Sequence, residues 1–258
     1  MKKTILEKTA DKLVNAFVNN KIIAPLPIKF TKTLSEAQKL RKLCEGKVKD
    51  PIIGFKAAGT GIPVMKKLKE KKPFYAAIFK KNFIKSGKKV KINKSTLGIE
   101  LEVCYLIKKN FFSSKGSITT KNITKHISHM AACIEVIGYR QKKKGITSFG
   151  DLCSDFGANV KFLIGQKKKY KKINIGNLKT NIANKKIGQS VNGNTNTVYI
   201  NPLNSLRFVL NELKKDKVTL DKDFYVFTGS TVGVVPILGK GLYTGKVDQL
   251  GSAKAIIH

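Results

Sequence analysis

Acidic residues are scarce in this sequence, and arginine is scarcer still. Its 258 residues hold 16 Asp and Glu against 51 Lys and Arg, a formal net charge of +35. Only Arg41, Arg140 and Arg207 are arginines, which leaves 48 lysines. Arginine carries the planar fork suited to bases and phosphates, so its shortage argues against a nucleic-acid groove despite the charge. The lysines are spread in short runs beside turns, such as Lys66-Lys67, Lys71-Lys72 and Lys167 to Lys169. No aromatic–basic motif of the RNA-binding type is present. These lysines read as a solvated surface that steers small anions toward the protein. A basic nucleic-acid-binding module is the alternative from another class, marked by salt-steep DNA binding without metal uptake.

The four cysteines, Cys44, Cys104, Cys133 and Cys153, lie far apart with no Cys-x-x-Cys pair. They read as buried fillers in a reducing compartment, so a cytoplasmic location is expected. No apolar run approaches the roughly 20 residues a membrane span needs. The longest weakly polar stretch, Val226 to Leu238, is broken by Thr228, Gly229, Ser230, Gly233 and Pro236. Glu7, Lys8, Asp11 and Lys12 interrupt any leader-like apolar segment, so no signal peptide is expected. The segment Gly54 to Gly61 lacks the Gly-Lys-Ser/Thr ending of a P-loop, and no Gly-x-Ser-x-Gly elbow occurs. The 41% apolar content nonetheless suffices for a real core and excludes wholesale disorder.

Apolar periodicity predicts helices over residues 4–19 and 35–43, the second capped by Thr33 or Ser35 and ended near Gly46. A buried strand is expected over 52–58, then a Gly-rich turn and a short helix over 63–72 with Pro63 in its first turn. The clearest strand is 97–107. Its alternation places Leu97, Ile99, Leu101, Val103 and Tyr105 on one face and Glu100, Glu102 and Cys104 on the other. A helix over 122–132 is expected to run into a strand over 133–139. Further strands are expected at 160–164, 224–228, 241–247 and 252–257, with a helix at 203–213 and a hairpin turn at Asn192-Gly193. Early helices followed by many strands indicate an α+β fold with a largely antiparallel or mixed sheet.

The few acids carry the chemical signal. Between Lys71 and Asn211 the only ones are Glu100, Glu102, Glu135, Asp151 and Asp155. Glu100 and Glu102, two apart in a strand, leave the same face. Glu135 interrupts a second apolar strand. Three carboxylates in apolar surroundings repel one another and lose hydration, so a positive partner is required. A hard divalent cation with oxygen ligands, Mg²⁺ or Mn²⁺, fits better than Zn²⁺. The alternative is a solvated sheet face whose glutamates pair with surface lysines. Lys56 interrupts a third apolar strand. It reads either as a proton-transfer group or as a lysine snorkelling from a strand end. His126 and His129, three apart on the expected helix, offer a weaker metal pair with no third ligand nearby.

These segments occur in an order that resembles the 2-keto-4-pentenoate hydratase and 4-oxalocrotonate decarboxylase group of the fumarylacetoacetate hydrolase superfamily. The matching runs are Ile52-Ile53-Gly54-Phe55-Lys56 with Thr60, Ile99-Glu100-Leu101-Glu102-Val103, and Ile134-Glu135-Val136-Ile137-Gly138-Tyr139-Arg140. Ser154-Asp155 before Leu163-Ile164-Gly165, Asn201-Pro202-Leu203-Asn204, Phe227-Thr228-Gly229-Ser230 and Leu250-Gly251-Ser252 complete the series. The resemblance implies a mixed β-roll with an N-terminal helical cap, residues 1–72, and a β-rich catalytic domain, residues 73–258, or one continuous domain. It implies Mg²⁺ or Mn²⁺ held by Glu100, Glu102 and Glu135, a catalytic Lys56, and substrate contacts from Thr60, Arg140, Asp155 and Ser230. The implied enzyme is a homo-oligomeric hydratase that adds water to a 2-hydroxy-2,4-dienoate, a small anionic 2-oxo acid in its dienol form. Decarboxylation of a 2-oxo-enedioate and hydrolysis of an acylpyruvate are the alternatives on the same site. The last of these would need a base, for which His126 is the candidate.

Two departures from the family pattern bear on the chemistry. Phe74 stands where hydratases of the group carry an acidic residue, a change that leans toward decarboxylation. The family's Asp-Asn-Ala-Ser run is Asp155-Phe156-Gly157-Ala158 here, so two polar groups expected near substrate or water are missing.

Overall fold

The computed structural model describes residues 2–143 and 145–258; Met1 and Lys144 lie outside them. Two helices open the chain, α1 (Ile5–Val18) and α2 (Leu34–Lys47). Thr4 and Glu7 form a capping box on α1, and Thr33 caps α2 by accepting from the Glu36 amide. Gly46 sits inside the last turn of α2 and does not end it. Next come β1 (Ile52–Ala58), a short α3 (Ile62–Lys67) that stops five residues before the expected Lys72, and β2 (Phe74–Phe79). Three strands follow: β3 (Phe83–Lys85), β4 (Lys89–Val90) and the long β5 (Thr96–Ile107). After β6 (Ile127–Gly138) the chain forms α4 (Phe149–Ser154), β7 (Asn159–Ile164) and β8 (Lys168–Lys169). A hairpin of β9 (Lys179–Asn184) and β10 (Gln189–Asn194) leads to α5 (Pro202–Lys215), capped by Asn201. The strands β11 (Phe224–Ser230), β12 (Gly241–Val247) and β13 (Gly251–Ile257) end the chain.

The strands make two sheets. The first has the order β2-β1-β11-β5-β6-β7-β3, with β8 also paired to β6, and the second the order β10-β9-β12-β13-β4. Pairs β1–β11, β3–β7 and β4–β13 are parallel and the others antiparallel, so the sheets are mixed, as expected. The 72/73 boundary falls between β1 and β2, which are hydrogen-bonded neighbours, so β1 belongs to the same sheet as the later strands. Whereas Met65 of α3 and Phe149 and Leu152 of α4 cluster with Ala58 and Phe74, one face of the first sheet packs against the second sheet and helices α1, α2 and α5. Leu101, Val103, Ile134 and Val136 meet Ile182, Tyr243, Ala253 and Ala255 there, and Leu206, Leu210 and Leu213 of α5 join the same core. The opposite face carries Cys104, Cys133, Phe162 and Phe227, and beside them the charged cluster described below.

Two local expectations differ from the structure, and one fully buried strand was not expected at all. The helix expected over residues 122–132 is one 3₁₀ turn, Ile123–His126, and β6 starts at Ile127. β6 pairs with β5 along its whole length, from Ile127 opposite Ile107 to Gly138 opposite Thr96, and this ladder outweighs the helix propensity of Ala131 and Ala132. The β9–β10 turn is at Lys185–Gly188, with Gly188 left-handed, while Asn192 and Gly193 lie within β10 opposite Asn181 and Thr180. The strand β2 was not anticipated. All six of its residues are buried, so it shows no alternation.

Candidate active site

The charged cluster forms because neighbouring strands project their polar residues from one face. Glu100 and Glu135 are direct cross-strand partners, a placement that sets two like charges against each other. Glu102, two residues along β5, joins them, and one carboxylate oxygen of each glutamate lies within 4.8 Å of the others. Glu102 and Glu135 are fully buried, and Glu100 is partly buried. The solvated-face alternative is thereby excluded. From β1, buried Lys56 extends its Nζ to Glu135 Oε1 at 2.5 Å and to the Gly157 carbonyl at 3.2 Å.

Burial raises all three carboxyl groups. That of Glu135 rises to about 8, with Glu100 adding to the rise and Lys56 opposing it. Glu102 stands well above the usual range because of burial and the charges of Glu135 and Glu100. For Glu100 the cause is burial, relieved in part by Lys56. Burial pulls the Lys56 ammonium down, but attraction to Glu135, Glu100 and Glu102 outweighs it and leaves the group above its ordinary value.

Glu102 is fixed by main chain. Strand β11 bulges after Phe227, and the Gly229 N–H donates to Glu102 Oε2 at 2.8 Å. Gly229 has φ 105°, and a Cβ there would come 1.9 Å from Thr60 Oγ1, so only glycine fits. Glu102 Oε1 and Glu135 Oε2 are buried without a hydrogen-bond partner. Two orphan carboxylate oxygens in a three-carboxylate cluster, with one ammonium as counter-charge, fit a hard divalent cation.

A small cavity of about 120 Å³ opens onto this cluster. Lys56, Glu100, Glu102, Thr60 and Ser230 supply its polar side chains, and Ala58, Val64, Ile137, Ile146, Leu152 and Val234 much of its apolar wall. Glu135 is not in the wall; it lies behind Lys56. Thr60 is buried, and the Ser230 hydroxyl donates to the Gly233 carbonyl at 2.7 Å. Of the four expected substrate contacts, Thr60 and Ser230 therefore line the cavity, whereas Arg140 and Asp155 do not. Arg140 Nε donates to Asp155 Oδ1 at 2.6 Å, and both side chains are buried in that pair.

The departures also have defined places. Phe74 is fully buried, edge-on to Phe149 at 5.8 Å between ring centres, and stands outside the cavity wall. Phe156 points into the core and stacks on Phe17 at 4.3 Å. His126 is buried edge-on against Phe111, and burial followed by the nearby lysines lowers its pKa. It does not line the cavity, and neither does His129, which lies on β6 and not on a shared helix. Two contributors escaped sequence reasoning, the Gly229 amide and the Gly157 carbonyl. Both are main-chain groups, and the glycines themselves were the only signal.

No protein-family model matches this sequence, and no curated protein matches it. Solved structures do. The 4-oxalocrotonate decarboxylase from Pseudomonas putida G7, complexed with magnesium and adipate, superposes with a TM-score of 0.81 at 19% identity, covering 100% of both chains. Fumarylpyruvate hydrolase from Pseudomonas aeruginosa, complexed with Mn²⁺ and pyruvate, covers 82% of this chain and 91% of its own at 14% identity and a TM-score of 0.58. The 5-carboxymethyl-2-hydroxymuconate delta-isomerase from Mycobacterium smegmatis covers 81% and 80% respectively, at 13% identity and a TM-score of 0.55. The chain therefore has the α+β fold of the fumarylacetoacetate hydrolase superfamily, along its whole length in the case of the decarboxylase.

Proposed function

We propose that this protein is a divalent-metal-dependent lyase acting on a short 2-oxo acid, and that it hydrates a 2-hydroxy-2,4-dienoate to a 4-hydroxy-2-oxo acid. The observation that carries the reading is the convergence of three carboxylates and Lys56 at a small, mostly apolar cavity. Solved enzymes of the same fold support it, with magnesium, calcium or manganese and the small acids adipate, acetate or pyruvate bound. Glu100, Glu102 and Glu135 would hold Mg²⁺ or Mn²⁺, which would stabilise negative charge developing on the 2-oxo acid. Lys56 would hold and move a proton at Nζ, kept beside the reacting carbons by Glu135 and the Gly157 carbonyl. The Thr60 and Ser230 hydroxyls would orient the substrate head. Arg140 and Asp155 enter as supports of the wall, in place of the direct contacts the resemblance implied. A volume of about 120 Å³ is well below the roughly 300–1,000 Å³ of drug-sized sites and suits a short acid. The reading expects a cytoplasmic homo-oligomer.

Decarboxylation of a 2-oxo-enedioate is the second reading, favoured by the full-length likeness to the decarboxylase. Against it, Lys56 is the one cationic side chain lining the cavity among the described residues. A second carboxylate at the far end would meet apolar wall and lose hydration unpaired. Ultraviolet assays with 2-hydroxypenta-2,4-dienoate and 2-oxohex-3-enedioate, with and without Mg²⁺ or Mn²⁺, decide between the two. Metal-dependent loss of the dienol signal supports hydration. Loss of the enedioate with carbon dioxide release transfers the assignment to decarboxylation. Metal uptake with silence on both sinks the two readings together.

A further inference from the structure

The turn that carries the Gly157 carbonyl is held in a conformation its residues disfavour. Phe156 (φ 53°), Gly157 (φ 66°) and Ala158 (φ 59°) are three successive left-handed residues, and two of them carry a Cβ. Such backbone persists only where the surroundings over-determine it. Gly157 has a second constraint, since a Cβ there would come 2.7 Å from that of Ala76.

Arg140 supplies much of the over-determination. It follows β6, the strand that carries Glu135. Its backbone N–H donates to Asp155 Oδ2 at 2.7 Å, and its Nε to Asp155 Oδ1 at 2.6 Å. Its Nη2 donates to the Asp155 and Gly138 carbonyls, each at 3.3 Å, and its Nη1 donates to the Asn159 carbonyl. The guanidinium thus holds the chain immediately before and immediately after the turn. Its central carbon lies 5.5 Å from the ring centres of both Phe17 and Phe156. An ion pair alone would need one edge of the fork. Here both edges are used, and the residue between the two grips aims its carbonyl at Lys56.

We propose that Arg140 is the positioning residue for Lys56: by gripping both ends of the left-handed Phe156–Ala158 turn it fixes the Gly157 carbonyl that holds the Lys56 side chain against the carboxylate cluster. The role of Lys56 in turnover rests on the functional reading above; the restraint of its side chain does not. Arg140→Lys keeps the charge but cannot reach both grips, and Asp155→Asn keeps the shape but weakens one of them.

The test labels exposed amines of the metal-free protein by reductive methylation and maps Lys56 by mass spectrometry. Circular dichroism confirms that each variant is folded at the labelling temperature. Lys56 should stay unlabelled in the parent, under conditions that modify the surface lysines, and become labelled in Arg140→Lys. Asp155→Asn should show the same effect more weakly, and it serves alone if the arginine variant does not fold. The Kd for Mn²⁺ should stay within about threefold of the parent, while kcat on the dienoate falls about 10- to 100-fold at a KM changed less than about threefold. A folded variant whose Lys56 remains unlabelled overturns the proposal, as does a kcat loss that only tracks the unfolded fraction. A parent with no turnover on any 2-oxo acid sinks the functional reading instead, and the labelling result still decides this one.

Discussion

Three carboxylates share one ammonium in the Glu100–Glu102–Glu135 cluster, and that imbalance governs what single substitutions do. Glu102→Gln removes a proposed metal ligand and a buried carboxylate together. It should weaken Mn²⁺ binding by about tenfold or more, near 1.4 kcal/mol, and abolish metal-dependent turnover. The metal-free melting temperature should hold or rise, because carboxylate repulsion is relieved. Calorimetric titration and thermal melts check both, and an unchanged Kd with full activity would retire the metal assignment. Lys56→Ala should cut turnover much more than metal uptake; an equal loss of both would make Lys56 structural. The pH dependence has a fixed sign. The Glu135 carboxyl is raised to about 8 from an ordinary 4.5, so the folded state binds more protons between those values. Its contribution to metal-free stability is full below the lower value and lost as pH rises through the upper one. The metal-free melting temperature should therefore fall between about pH 5 and about pH 9, and saturating Mn²⁺ should remove most of that fall. A flat metal-free profile would show that the carboxyl is not raised.

At the scale of elements, β5 was legible because Ile99, Leu101 and Val103 alternate with Glu100, Glu102 and Cys104, and only one face is buried in the main core. That alternation also placed two of the three glutamates. Strand β2 and the first half of β6 were not legible: β2 is buried throughout and shows no alternation, and the run Ile127 to Ala132, with two alanines, carries no period-2 pattern. The Asn192-Gly193 pair gave a turn signal, yet the chain turns at left-handed Gly188, and Gly193 serves a close approach instead, since a Cβ there would come 2.1 Å from the Thr231 carbonyl oxygen. In the site, side chains could be read and main-chain groups could not. The β11 bulge makes the point testable. Gly229→Ala forces a Cβ against Thr60 at a left-handed φ and displaces the amide that holds Glu102. It should cost about 2–4 kcal/mol in urea unfolding, the size of a strained or overpacked core change. It should also weaken Mn²⁺ binding, whereas the parent's affinity in this variant would mean that the Gly229 amide does not hold Glu102 in place.

For the whole molecule the dominant fact is the net charge of +35. All five acids between Lys71 and Asn211 are committed to defined places. Three form the buried carboxylate cluster, Asp155 pairs with Arg140, and Asp151 pairs with Lys143. Few acids are left to balance the surface lysines, so the folded chain repels itself over long range. The screening length is about 8 Å at 0.15 M salt and about 3 Å at 1 M, short enough to quench repulsion between exposed lysines but not the contact pair of Lys56 and Glu135. Added sodium chloride should therefore raise the melting temperature steadily from about 20 mM to about 500 mM. A salt-independent melt would mean that the lysines are already neutralised by bound anions. The same titration addresses the rival nucleic-acid reading. Non-specific attraction to a polyanion should decay steeply with salt, whereas Mn²⁺ uptake by three buried carboxylates should change little. DNA binding that survives at about 500 mM salt, in a protein that takes up no metal, would move the assignment from the cavity to the surface.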